Sequence, residues 1–147
     1  VAVGGVTGGW SLYARNGKPK FCHNFFGLQL TYVEGASVMP PGQHQVRMEF
    51  AYDGGGLAKG GTVSLFVDGR KAGDGRIEQT EPFAFGEETC DVGHEGGSPV
   101  TTDYAQNGGT TFSGKVNWVE FDAGVASDDQ NHLITPEERL QVAMAKQ

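Results

Sequence analysis

Two cysteines and four histidines carry the nucleophilic and imidazole chemistry this chain has to offer. His23, His44, His94 and His132 show no His-x-His or His-Glu-x-x-His spacing, so a zinc site could arise only if the fold assembled one. Cys22 stands beside His23, which on paper is a thiol and imidazole pair. In a strand, however, neighbouring side chains leave opposite faces, and the two would not meet. A small, apolar interior Cys is the default for both thiols, and a single disulfide between Cys22 and Cys90 stays open on the sequence alone. No Gly-x-Ser-x-Gly elbow supplies a serine nucleophile.

The acidic run Glu87, Glu88, Asp91, Glu95 and Asp103 offers hard oxygen ligands on a long polar stretch, the kind Ca²⁺ takes. Asp91, Glu95 and Asp103 are the candidate metal ligands. The run lacks EF-hand spacing, and a solvated acidic loop is the plain alternative. Recognition of a sugar needs an exposed aromatic platform with polar neighbours. Trp10, Tyr13, Tyr32 and Trp118 fall in alternating runs where burial explains them. Tyr52 and Tyr104, each next to an aspartate in a glycine-bearing loop, do not, so Tyr52, Asp53 and Tyr104 are the candidate ligand-binding residues. The loop AYDGGGLAKGG invites comparison with a phosphate cradle, but no Gly-Lys-Ser/Thr ends it and no helical pattern follows Lys59. A flexible hairpin loop accounts for it.

These residues must be positioned by strands. In HQVRMEF, Val46, Met48 and Phe50 share one face and Arg47, Glu49 and Ala51 the other. Val63, Leu65 and Val67 repeat that pattern before Asp68-Gly69, a hairpin turn pair. Upstream, Trp10, Leu12 and Ala14 alternate with Ser11, Tyr13 and Arg15, Asn16-Gly17 supplies the turn, and Phe21, His23 and Phe25 resume the alternation. Further strands are expected around Leu30–Val33, Arg76–Thr80 and Phe83–Phe85. Residues 112–121 form a last and central strand, because both of its faces carry apolar groups. Residues 1–9, small and glycine-rich, read as a linker or frayed end. Thr135 as cap, Pro136 at the first helical position and Glu138 in capping-box register mark one helix near 136–146, with Leu140, Ala143 and Met144 as its apolar stripe.

At 147 residues the chain is one domain, large enough to bury a core without staples. The 24 glycines are scattered among apolar runs, which suits a turn-rich sheet protein and excludes a collagen-like repeat. A net charge of −7 with dispersed basic residues argues against nucleic acid as partner. No apolar run approaches the roughly 20 residues of a membrane-spanning helix. The first residue is Val, as expected of a processed or excised chain, and no secretory leader pattern is present. The expected fold is all-β, an antiparallel jelly-roll β-sandwich over 10–124 with a C-terminal extension and helix over 125–147.

Several stretches together resemble one family. GGWSLYARNGKPKFCHNFFG, PPGQHQVRMEFAYDGGGLAKGGTVSLFVDGRKAGDGRI, FAFGEETCDVGHEGGSPVTTDY, FSGKVNWVEFD and the tail HLITPEERLQVAMAKQ are similar to the C-terminal region of bacterial arylsulfatases of the alkaline-phosphatase-like superfamily. The loop DGGG-x-x-KGG and the DVG…SPV…DY run are the most specific pieces, since no generic strand or turn demands them. His94-Glu95-Gly96-Gly97 departs from the expected pattern, and Cys22 and Cys90 are peculiar to this chain. The resemblance implies a concanavalin A-like or laminin-G-like sandwich and a part of an enzyme. Such enzymes hydrolyse sulfate esters with a formylglycine made from a Cys/Ser-x-Pro-x-Arg motif, beside a divalent metal. No such motif is present: Tyr13 occupies the proline position after Ser11, and neither Cys22 nor Cys90 begins one. The implied partner is the catalytic domain of the same parent. Self-association through an uncovered apolar face or the C-terminal helix is a second expectation. A free-standing lectin-like glycan-binding module, with or without Ca²⁺, is the alternative; the compartment, cytoplasmic or periplasmic, stays open.

Overall fold

A computed structural model describes residues 1–82, 89–106, 109–122 and 144. The strands are β1 (Ala2–Gly5), β2 (Gly8–Arg15), β3 (Lys18–Phe25), β4 (Gln29–Glu34), β5 (Val46–Tyr52), β6 (Gly61–Val67), β7 (Arg70–Ile77) and β8 (Cys90–Asp91), with a short helix α1 (Thr102–Ala105). They form an antiparallel five-stranded sheet in the order β4-β3-β2-β1-β8 and an antiparallel three-stranded sheet in the order β5-β6-β7. The protein is all-β in its described residues, apart from α1 and the helical Met144.

The turn chemistry acts as its sequence dictates. Asn16-Gly17 and Asp68-Gly69 both take positive φ at their two central positions, the backbone that a two-residue hairpin between right-twisted strands requires. The resulting registers pair Leu12 with Phe21, Phe21 with Val33 and Phe50 with Val63, so the apolar alternations meet on one side. Phe21, Val33, Val63, Leu65 and Ile77 form the core between the sheets, and Trp10, Leu12, Met48 and Ala72 pack against it.

The sheets approach each other most closely where β4 meets β7. A bulge at Leu65/Phe66 leaves Ala72 outside the β6–β7 ladder, and its freed carbonyl accepts the amide of Ala36 at 2.8 Å. Here the glycines are required by proximity. A Cβ on Gly73 would lie 2.6 Å from the Glu34 carbonyl oxygen, and one on Gly75 the same distance from a methyl of Val33.

Five expectations need correction or fall elsewhere. Residues 1–9 are no frayed end: Ala2–Gly5 is a paired strand, and β2 starts at Gly8. Glycines there permit contact instead of looseness, since a Cβ on Gly9 would stand 2.1 Å from the Val3 carbonyl oxygen. The strand expected near Arg76–Thr80 is β7, which runs over Arg70–Ile77 directly from the Asp68-Gly69 turn. Residues 112–121 are no central strand. Among the described residues the ladder-like contacts there are the Thr111 to His94 bridge with its two flanking bonds, from the Phe112 amide to the Gly93 carbonyl at 2.8 Å and from the Glu95 amide to the Thr110 carbonyl at 2.9 Å. The strand at Phe83–Phe85 and the helix near 136–146, Met144 apart, lie outside the described residues.

Gly73→Ala forces the Glu34 backbone aside and is expected to cost about 2 kcal/mol, seen as a Tm lower by several degrees in calorimetry. Gly96→Ala, where an added Cβ meets nothing within 4 Å, is the control and leaves Tm unchanged.

Candidate functional site

Strand parity places the polar residues of the first sheet together. Ser11 pairs with Cys22, Tyr13 with Lys20, and Cys22 with Tyr32, so Ser11, Tyr13, Lys20, Cys22, Asn24 and Tyr32 all leave the face opposite the core. Across that face runs the segment from Glu95 to Gln106, which includes α1. Thr101 is its N-cap, accepting the Asp103 amide at 3.0 Å.

Asp103 is where the segment meets the sheet. Tyr13 donates its hydroxyl to Asp103 Oδ2 at 2.6 Å, Lys20 Nζ reaches the same oxygen at 2.8 Å, and Arg15 Nη1 donates to Oδ1. Burial alone would raise this carboxyl, but the bonds from Lys20, Tyr13 and Arg15 outweigh it and hold its pKa at about 2. Tyr13 responds in the opposite sense: burial, then its bond to an anion, pushes the hydroxyl above its usual range. Lys20 also sits 4.9 Å over the ring of Tyr32 and bridges to Glu34, which Lys18 holds at 3.1 Å.

A second carboxylate supports the segment from within. Buried Glu95 accepts the Val100 amide at 2.9 Å on one oxygen and the Tyr104 hydroxyl at 2.6 Å on the other. The Tyr104 ring meets Tyr13 edge-on, with centroids 4.9 Å apart. Beneath them Cys22 is fully buried, and burial pushes its thiol up to about 11 against the opposing hydrogen bonds of Thr101 and Tyr32. Tyr32 and Thr101 share a bond of 2.7 Å. Asn24 completes the fastening: its amide nitrogen serves the carbonyls of Gly5, Val6 and Val100 at 3.0, 3.2 and 2.9 Å, and its oxygen accepts the Gly27 amide at 2.8 Å.

The candidate residues are therefore dispersed. Tyr104 and Asp103 lie in this cluster, whereas Tyr52 and Asp53 sit at the far end of β5 in the other sheet. Tyr52 donates its hydroxyl to the Gly56 carbonyl and accepts the Lys59 amide at 2.9 Å, which pins the glycine loop to its own strand. Asp53 receives both terminal nitrogens of Arg76. Of the proposed calcium ligands, Asp91 accepts Thr89 and the Gly96 amide, at 2.8 and 2.9 Å, while Glu95 and Asp103 serve the partners above. Among the described residues no three His, Cys, Asp or Glu side chains gather as a metal-holding group.

The two thiols are free, with Cys22 buried and Cys90 exposed. They stand on opposite faces and three strands apart, roughly 14 Å at ordinary strand spacing, which closes the disulfide question. On the core face His23 Nε2 lies 3.0 Å from Glu81 Oε2, and Glu81 Oε1 is buried without a hydrogen-bond partner among the described residues. Sequence reasoning missed Arg15, Lys20, Asn24 and Glu81. The outward half of the alternating hairpin carried a signal for the first three, a polar row too rich in cations and amides for a bare solvated face. Glu81 carried none.

Comparison with protein-family models, with curated proteins and with solved structures gives no match to this chain. Among the described residues no helix is long and apolar enough to cross a membrane.

Chemically the cluster is a lock: its acids, bases and hydroxyls hold one another. Asp103→Asn leaves Arg15 and Lys20 side by side without their anion and is expected to cost about 2 kcal/mol at neutral pH. Because the folded carboxyl sits below its unfolded value of roughly 3.9, the stability it adds is complete above that value and is lost as pH falls through about 2. The Tm gap between wild type and variant thus closes between about pH 4 and pH 2 in a pH series of thermal melts. A disulfide exchange reagent is expected to titrate Cys90 alone in the native protein and both thiols in denaturant.

Proposed function

We propose that this chain is a noncatalytic C-terminal sandwich of an arylsulfatase-like sulfuric ester hydrolase, packed against a catalytic domain that it supports. The concanavalin A-like jelly-roll topology belongs to the same reading. The observation that carries it is how the two most specific runs of the sulfatase resemblance are used. DGGG-x-x-KGG is bound to Tyr52, and DVG…SPV…DY forms the segment that Asn24, Glu95 and Asp103 fasten to the sheet. Unusual residues in both runs go to building a rigid body.

The sequence has no Cys/Ser-x-Pro-x-Arg from which a formylglycine could be made, and among the described residues no side chains gather to hold the metal. Cys22 lies sealed under the 95–106 segment, Cys90 lies in the two-residue edge strand β8, and neither precedes a Pro-x-Arg. Exposed apolar residues favour a neighbour: Phe112, Val116 and Trp118 are 45, 40 and 59% exposed along one stretch.

The test joins sequence and assay. The coding frame upstream of Val1 is expected to hold an alkaline-phosphatase-like domain with Cys/Ser-x-Pro-x-Arg. That longer protein is expected to cleave p-nitrophenyl sulfate, and the present chain alone to release no nitrophenol. A frame without that domain, with calcium-dependent glycan binding by this chain, would favour the lectin-like module instead.

A further inference from the structure

Three strands face five, and among the described residues no strand of the smaller sheet covers the rest of the larger one. At a spacing of about 4.8 Å a three-stranded layer spans roughly 14 Å of a face roughly 24 Å wide. Since β7 lies against β4 and β6 against β3, the bare part is the β1–β8 side, where the register sets Trp10, Val3 and Cys90 in one row on the core face. Beside that gap lies β5.

The backbone of β5 has a definite outer edge. The Asp68 amide bonds to the Gln45 carbonyl and the Asp53 amide to the Gly60 carbonyl, so the odd-numbered residues from 45 to 53 hydrogen-bond to β6. The amides and carbonyls of Val46, Met48 and Phe50 therefore face away, and among the described residues none has a backbone partner. Their side chains point to the core but are incompletely covered, Phe50 remaining 39% exposed.

Residues 112–121 are the complement of that gap. In their last part Val119 is half-buried and Phe121, though 59% exposed, meets Trp10 edge-on at 6.1 Å, while Trp118 and Glu120 are exposed. We infer that this segment is a strap that closes on the outer edge of β5 as a fourth strand of the smaller sheet, with Val119 and Phe121 sealing the core over Trp10 and Val3. Phe121 is already seated on the correct ring, and closure satisfies the Val46, Met48 and Phe50 backbone groups that an open edge leaves to water. The inference is independent of the sulfatase reading.

Residue-resolved amide hydrogen exchange on the full chain tests it. Closure predicts protection of at least 100-fold at Val46, Met48 and Phe50 together with alternate amides of 115–121, unchanged over a tenfold range of protein concentration. Val119→Pro and, as a milder change, Phe121→Ala are expected to strip that protection from β5 while leaving the Phe21 and Cys22 amides of β3 slow. The strap is overturned if both sets of amides exchange at unstructured rates. It is equally overturned if β5 is protected only at high concentration, which identifies a second copy at the edge, or if β5 protection survives in both variants.

Discussion

The fold depends on a side-chain amide whose nitrogen and oxygen are both engaged with backbone. Asn24 is 2% exposed and connects the end of β1, the turn after β3 and the Val100 carbonyl of the crossing segment. The Gly5 and Val100 carbonyls it serves are buried, and leaving either unpaired would cost on the order of 1–3 kcal/mol. Because one residue meets all of these needs, the outer face of the sheet can be covered by chain with little regular structure. Asp103 then sets the register of that cover, since its two oxygens fit Arg15, Lys20 and Tyr13 only in one placement.

In that arrangement the catalytic residue types gathered on this face are engaged with one another. A general acid or base needs an unsatisfied proton position facing a substrate. Here Glu95 has both oxygens engaged, Asp103 holds three donors, and the Cys22 thiol is kept protonated by burial. The same residues serve a mechanical role well: a charged, partly buried latch opposes sliding of the segment more strongly than an apolar contact of equal area, because partial displacement strands charges. This is the property expected of a scaffold.

How far the sequence could be read follows from which constraints are local. The Asn16-Gly17 and Asp68-Gly69 turns were legible because turn residues and period-two alternation act within a few positions, and the structure forms a hairpin at each, although the strand after Asp68-Gly69 starts at Arg70 and not near Arg76. Residues 1–9 were misread for the opposite reason. Glycine has one composition signature for looseness and for tight approach, and only the facing strand tells Gly4 and Gly9 which applies. Ligand readings for Tyr52, Asp53 and Tyr104 rested on loop position, whereas their roles are set by Gly56 and Lys59, Arg76 and Glu95, the last two far from the candidates' own turns or on another element. For Glu81, opposite His23 across 58 positions of sequence, nothing local could have indicated the pairing.

The bond between Ala36 and Ala72 gives the interior the shape of a wedge. At its thin end the sheets are separated by little more than glycine, alanine and valine, at Gly73, Gly75, Ala72 and Val33. At its thick end the filling is Trp10, Met48, Phe50 and Phe121. Residue size is thus graded along the sandwich, and so is the freedom to vary. An extra methyl at the thin end levers the two layers apart over their whole length, while at the thick end the same methyl displaces only a neighbouring ring. Variation in this protein should therefore accumulate toward the aromatic side, leaving the glycine corner as the fulcrum about which the layers are set.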